Sequence, residues 1–130
     1  MSSTTVKAIV IGHGNFATGM QTAVEKITGQ GGALLALSVQ DRSLVQIEAW
    51  LRENLVSSGA QVVFTDLQAG SATMAARKAL RDMPAVLLVV GTNLPMLLDF
   101  VLSNAESAAD AAKHAAERGR AAIVVHGGPT

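Results

Sequence analysis

Val6-Lys7-Ala8-Ile9-Val10-Ile11-Gly12-His13-Gly14-Asn15-Phe16-Ala17 is the stretch that decides the fold. A largely apolar run of strand length stops at Gly-His-Gly. Beyond it Ala17, Met20, Val24 and Ile27 recur at helical spacing, which predicts a helix over Ala17–Thr28. A strand without polar alternation is covered on both faces, as in parallel sheets flanked by helices. Glycines 29, 31 and 32 end that helix. Ala33–Val39 then reads as a second strand, and Arg42–Ser57 as an amphipathic helix with Leu44, Ile47, Leu51 and Leu55 on one face. Asp41 is placed to cap it. Ala60–Thr65 is the third strand, closed by Asp66, and a helix opens at Gly70-Ser71 and runs to about Met83. Pro84–Gly91 is the fourth strand. Asn93–Ser103 is a short helix that tolerates Pro95 in its first turn. Glu106–Arg118 is the last helix, ended by Gly119, and Ala121–Val125 a short final strand.

Strand–helix alternation of this kind builds a parallel sheet with helices on both faces. The expected fold is a three-layer α/β/α sandwich with a doubly wound, mainly parallel sheet in the order 2-1-3-4. Residues 1–130 form one domain, and the short last strand is free to pair with another subunit. Met20, Met74 and Met96 read as packing residues on helix faces.

The chain has 130 residues, ten basic and ten acidic side chains, three Phe and one Trp. That length suits a single domain with a real core. Without a basic surplus or stacking aromatics, nucleic-acid binding is not expected. The absence of cysteine removes disulfides, thiolate catalysis and thiolate metal sites. No apolar run approaches the ~18 residues of a membrane helix, and no signal pattern opens the chain. These features point to a soluble, cytoplasmic protein. No His-x-x-x-His pair, acidic ladder or calcium loop occurs, so neither metal nor cofactor is expected.

In open α/β sheets ligands bind outside the carboxyl ends of the strands, where the winding direction changes. His13 ends the first strand and Asp66 the third, so both face that crevice. A carboxylate accepting from one ring nitrogen fixes the tautomer and leaves the other nitrogen as an outward nucleophile. In a chain without cysteine, His13 is then the best nucleophile and the expected carrier of a phosphoryl group. Gly70 and Ser71 open a helix whose free first-turn amides suit phosphoryl oxygens. Gly91-Thr92-Asn93 ends a neighbouring strand and either frames the pocket or caps the next helix. His114 reads as a solvated helix residue and His126 as part of the tail.

Three segments carry a family resemblance. Gly12-His13-Gly14-Asn15-Phe16-Ala17-Thr18-Gly19-Met20 resembles the active-site segment of the IIA domain of the mannose-family sugar phosphotransferase system. Thr65-Asp66-Leu67-Gln68-Ala69-Gly70-Ser71 resembles that family's Asp-Leu-x-Gly-Gly-Ser loop, and Gly91-Thr92-Asn93-Leu94-Pro95-Met96-Leu97 its Gly-x-Asn-x-Pro-Met segment. The resemblance implies a phosphocarrier that accepts phosphate on His13 from the histidine-containing phosphocarrier protein. It would pass the group to a IIB component, which phosphorylates sugar entering through membrane IIC and IID subunits. By the same likeness Asp66 orients the ring, Ser71 and the amides at Gly70 hold the phosphate, and the chain forms a homodimer by exchanging its last strand.

The loop departs from the family pattern Gly-Gly-Ser-Pro-x-Asn, running Ala69-Gly70-Ser71-Ala72-Thr73-Met74. That stretch also resembles the related phosphocarrier subunit of the bacterial dihydroxyacetone kinase. A regulatory domain using phosphorylation of His13 as a switch is a further reading. Gly12-x-Gly14-x-x-Ala17 also matches the dinucleotide fingerprint, with Asp41 as the ribose-binding acid.

Overall fold

The computed structural model describes residues 5–129. Its sheet is built from β1 (Ala8–Gly12), β2 (Leu34–Ser38), β3 (Val62–Thr65) and β4 (Leu87–Val89), all parallel, in the order β2-β1-β3-β4. The helices are α1 (Phe16–Thr28), α2 (Leu44–Ser58), α3 (Ser71–Ala79), α4 (Leu94–Val101) and α5 (Ala108–Ala121). Two short 3₁₀ turns, Gly31–Ala33 and Leu80–Asp82, precede β2 and follow α3.

Strand pleating sorts the core into two layers. Ala8 and Val10 of β1, with Val62 and Phe64 of β3, point toward α1, α4 and α5. Ile9, Ile11 and Val63 point the other way, onto Ile47, Leu51 and Leu55 of α2 and the alanines of α3. All five β1 positions are buried, as the apolar run requires of a strand covered on both faces. Phe64 and Phe100 meet edge to face at 5.1 Å between ring centroids, joining β3 to α4. Each fully buried side chain of this size contributes about 1.5–3 kcal/mol from burial. Among the described residues no helix is long and apolar enough to cross a membrane.

Several local expectations are corrected. Asp41 does not cap α2: it occupies a turn at φ 60°. Ser43 caps instead, accepting from the Gln46 amide while the Gln46 side chain accepts from the Ser43 amide. This reciprocal box satisfies two amides at once, which a single carboxylate two residues earlier does not. Met96 is buried and Met20 half-buried, but Met74 is half exposed and Ile27 more so. Both lie on the solvent side of their helices.

Gly119 does not end the last helix, which continues to Ala121. It is instead a point of close approach between α5 and α4. A Cβ there would lie 2.8 Å from Met96 Cβ and 2.9 Å from Asn93 Oδ1. Alanine gains about 1 kcal/mol in helix propensity over glycine, while overpacking against such fixed atoms costs about 1–3 kcal/mol. Gly119→Ala is therefore expected to lower the melting temperature, measured by thermal unfolding; an unchanged or raised midpoint contradicts this packing.

The final strand also differs. Residues 122–126 lie in no helix or strand, and Ile123, Val124 and Val125 are exposed, Val125 to 90%. A strand exists only with a partner edge to take its backbone hydrogen bonds, and among the described residues no strand pairs with this segment.

Candidate functional site

The register of β1 against β3 sets Ile11 opposite Thr65. Asp66 is thus level with Gly12, one residue short of His13, at the carboxyl end of the sheet where the chain reverses its winding. Gly14 takes φ 51°, a left-handed conformation that turns the chain sharply from β1 toward α1. Ser38, at the end of β2, donates from its hydroxyl to the Gly14 carbonyl at 3.0 Å and holds this loop from the other side.

Asp66 accepts three hydrogen bonds. Its Oδ2 takes the His13 backbone amide at 2.8 Å and meets His13 Nδ1 at 2.7 Å; its Oδ1 takes the Leu67 amide at 3.0 Å. Burial pushes the Asp66 carboxyl pKa up, but the His13 amide, the ring and the Leu67 amide outweigh it and hold it below its ordinary value. An ionised carboxylate only accepts, so Nδ1 carries the ring proton and Nε2 keeps its lone pair. The Asp66 side chain is 10% exposed and that of His13 51%, so the carboxylate is sheltered while much of the ring is open to solvent. Nε2 lies 3.3 Å from Ser71 Oγ, the first residue of α3.

Gly70 is the N-cap of α3 and has no side chain to bond the first-turn amides. It also has no room for one: a Cβ there would lie 2.8 Å from His13 Cε1. Glycine thus lets the helix N-terminus close on the ring and leaves its amides for an anion. His13, Asp66, Gly70 and Ser71 are brought together in one place. The exposed side chains of Leu67 and Met74 belong to the same loop and first helical turn.

Asn93 lies outside this cluster. Its side chain accepts from the Met96 amide at 3.1 Å, capping α4, and donates to the Gly119 carbonyl at 2.9 Å. His114 is exposed on α5 and pairs with Asp99 of α4 at 2.8 Å, and His126 is exposed in the tail. Gly12 is used to admit Asp66, since a Cβ there would lie 3.0 Å from Asp66 Oδ2 and 2.8 Å from the Phe16 ring.

The part that sequence reasoning did not find is a hydroxyl pair behind the loop. Thr65 and Thr73 are both buried, with their Oγ1 atoms 2.6 Å apart. Thr65 follows the β3 pleat toward α3, but nothing in the residue pattern shows that Thr73 turns inward to meet it.

The family model of the PTS system fructose IIA component matches residues 7–117. Among solved structures, the mannose/sorbose-specific IIA subunit of the phosphotransferase system from Enterococcus faecalis is 25% identical. It superposes with a TM-score of 0.81, covering 96% of this chain and 97% of that one. The component EIIA from Streptococcus agalactiae, 24% identical over 92% of this chain and 96% of its own, shares the fold at a TM-score of 0.81. So does the PTS IIA protein associated with the fucose utilization operon of Streptococcus pneumoniae, with a TM-score of 0.77 at 23% identity over 96% of each chain. No curated protein sequence matches the chain. With most of its length inside that family model and the same sheet and helices as these relatives, the chain belongs to the fructose/mannose IIA family of the phosphotransferase system.

Proposed function

We propose that the chain is a phosphocarrier in which His13 Nε2 takes a phosphoryl group from the histidine-containing phosphocarrier protein and hands it to a IIB component. In the first step the Nε2 lone pair forms a bond to phosphorus as the donor's own nitrogen–phosphorus bond breaks. The second step reverses these roles on the acceptor. Asp66 keeps the Nδ1 proton in place and stabilises the positive ring that develops. The Ser71 hydroxyl and the first amides of α3, left free by Gly70, hold the phosphoryl oxygens. The observation that carries this reading is the 2.7 Å contact between His13 Nδ1 and Asp66, which leaves Nε2 unprotonated and facing the Ser71 hydroxyl at the start of α3.

On this reading residues 1–130 are a single phosphocarrier domain working in the cytoplasm, coupled through IIB to membrane IIC and IID subunits. The chain works as a homodimer: the β4 edge is open, and the apolar Ile123-Val124-Val125 segment beyond α5 supplies a strand for a second copy.

The test is incubation with phosphoenolpyruvate, the general phosphotransferase enzyme and the phosphocarrier protein. Acid-labile, alkali-stable phosphate is expected on the wild type and none on His13→Ala. Onward transfer to IIB supports the transport role. Transfer instead to a dihydroxyacetone kinase, or retention without transfer to either, assigns the chain to the kinase branch or to a regulatory role. Equal labelling of His13→Ala contradicts the reading.

A further inference from the structure

Among the described residues three polar side chains are buried, Thr65, Thr73 and Thr92, and two of them form one unit. Thr65 closes β3, and Thr73 is the third residue of α3. Besides its contact with Thr65, Thr73 Oγ1 lies 2.5 Å from the Leu67 carbonyl oxygen. A carbonyl only accepts, so the single Thr73 proton goes to Leu67. Thr65 must then supply the proton between the two hydroxyls. The result is a directed chain, Thr65 to Thr73 to the Leu67 carbonyl, in which each bond polarises the next.

Leu67 is gripped at both ends. Its carbonyl accepts from Thr73, and its amide donates to Asp66 Oδ1, while Asp66 Oδ2 holds the His13 ring. A β-branched residue is a poor choice for a nine-residue helix otherwise rich in alanine. Its hydroxyl explains its presence: it ties the strand end, the Asp66 loop and the first turn of α3 at one buried point.

We propose that Thr73 is a positioning residue for phosphoryl transfer, acting through Leu67 to set the rotation of the Asp66 carboxylate and hence the tautomer and aim of the His13 ring. The inference rests on the phosphocarrier reading, but its first readout, the ring tautomer of the unphosphorylated protein, needs no phosphate. Thr73→Val keeps the shape and removes the hydroxyl, leaving the Leu67 carbonyl without its donor and the Thr65 hydroxyl without its acceptor.

The experiment pairs nitrogen-15 NMR of the His13 ring with single-turnover transfer from the phosphocarrier protein. Wild type is expected to show the Nδ1–H form alone. Thr73→Val should mix the two tautomers and slow transfer by about 10- to 100-fold, with the donor concentration at half-maximal rate unchanged. Thr73→Ser, which restores the hydroxyl, should return both readouts to wild type. Thr73→Ala carries the same expectation as valine and, as a better helix former, serves if the valine variant does not fold. A lower melting temperature with tautomer and rate both unchanged overturns the inference. A tautomer shift in a protein that takes up no phosphate sinks the phosphocarrier reading and leaves the hold of Thr73 on the ring standing.

Discussion

Asp66→Asn is expected to slow phosphoryl transfer through His13 by about 10²- to 10⁴-fold while leaving the fold intact. The reason lies in donor counting. The carboxylate receives three N–H groups: the His13 amide and Nδ1 on Oδ2, and the Leu67 amide on Oδ1. An asparagine side chain has one accepting oxygen and one donating nitrogen in the same places. With its oxygen toward His13, its NH₂ faces the Leu67 amide. Turned over, its NH₂ faces the His13 amide and drives the ring into the wrong tautomer. Either rotamer also loses the charge that steadies the ring as it becomes positive. Rapid-quench kinetics of transfer from the phosphocarrier protein measure the effect, and wild-type rates in Asp66→Asn contradict the assigned role.

The same substitution has a signature in stability. Because the folded-state pKa of Asp66 lies below its ordinary value of 3.8, the unfolded chain binds the proton more tightly. The contribution of the carboxylate is therefore complete above the unfolded value and is lost as pH falls through the lowered folded value. The stability advantage of wild type over Asp66→Asn should accordingly shrink below about pH 4 in denaturant titrations.

Gly70→Ala is expected to cost about 10- to 100-fold in transfer rate, with only a small loss of stability. The backbone of Gly70, at φ −100° and ψ 170°, suits any residue, so no conformational strain arises. The new methyl acts only on its neighbours, 2.8 Å from His13 Cε1 and 3.0 Å from Leu67 Cδ2. The ring is the more exposed of the two and must retreat by several tenths of an ångström, away from Ser71 and the helix amides. The poorer helix cap costs about 1 kcal/mol. Transfer at the wild-type rate in Gly70→Ala contradicts the close docking of ring and helix N-terminus.

What could be read from the chain follows from how local each signal is. The apolar β1 run and the helical spacing of Val24, Ile47, Leu51 and Leu55 are local patterns, and they carry the strand–helix alternation and the layers. His13 and Asp66 were legible as neighbours because both terminate strands beside the point where the winding reverses. Features that depend on one tertiary contact were not legible. Gly119 reads as a helix stop, yet lies inside the last turn of α5, where Met96 and Asn93 leave no room for a side chain. Asp41 reads as a cap, yet the Ser43–Gln46 box takes that role. Residues 121–125 have a strand's composition, and composition does not say whether an edge is available to pair with. The Thr65–Thr73 hydroxyl pair needs the inward rotation of one helix residue, which α3, lined with alanines on its buried side, does not announce.

The most direct test is nitrogen–phosphorus coupling in the isotope-labelled phosphoprotein, which identifies the nitrogen bonded to phosphorus. Phosphorus on Nε2 of His13, with the Nδ1 proton still present, is the predicted result. Phosphorus on Nδ1, or on any other residue, contradicts an arrangement in which Asp66 occupies one edge of the ring and leaves the other to react.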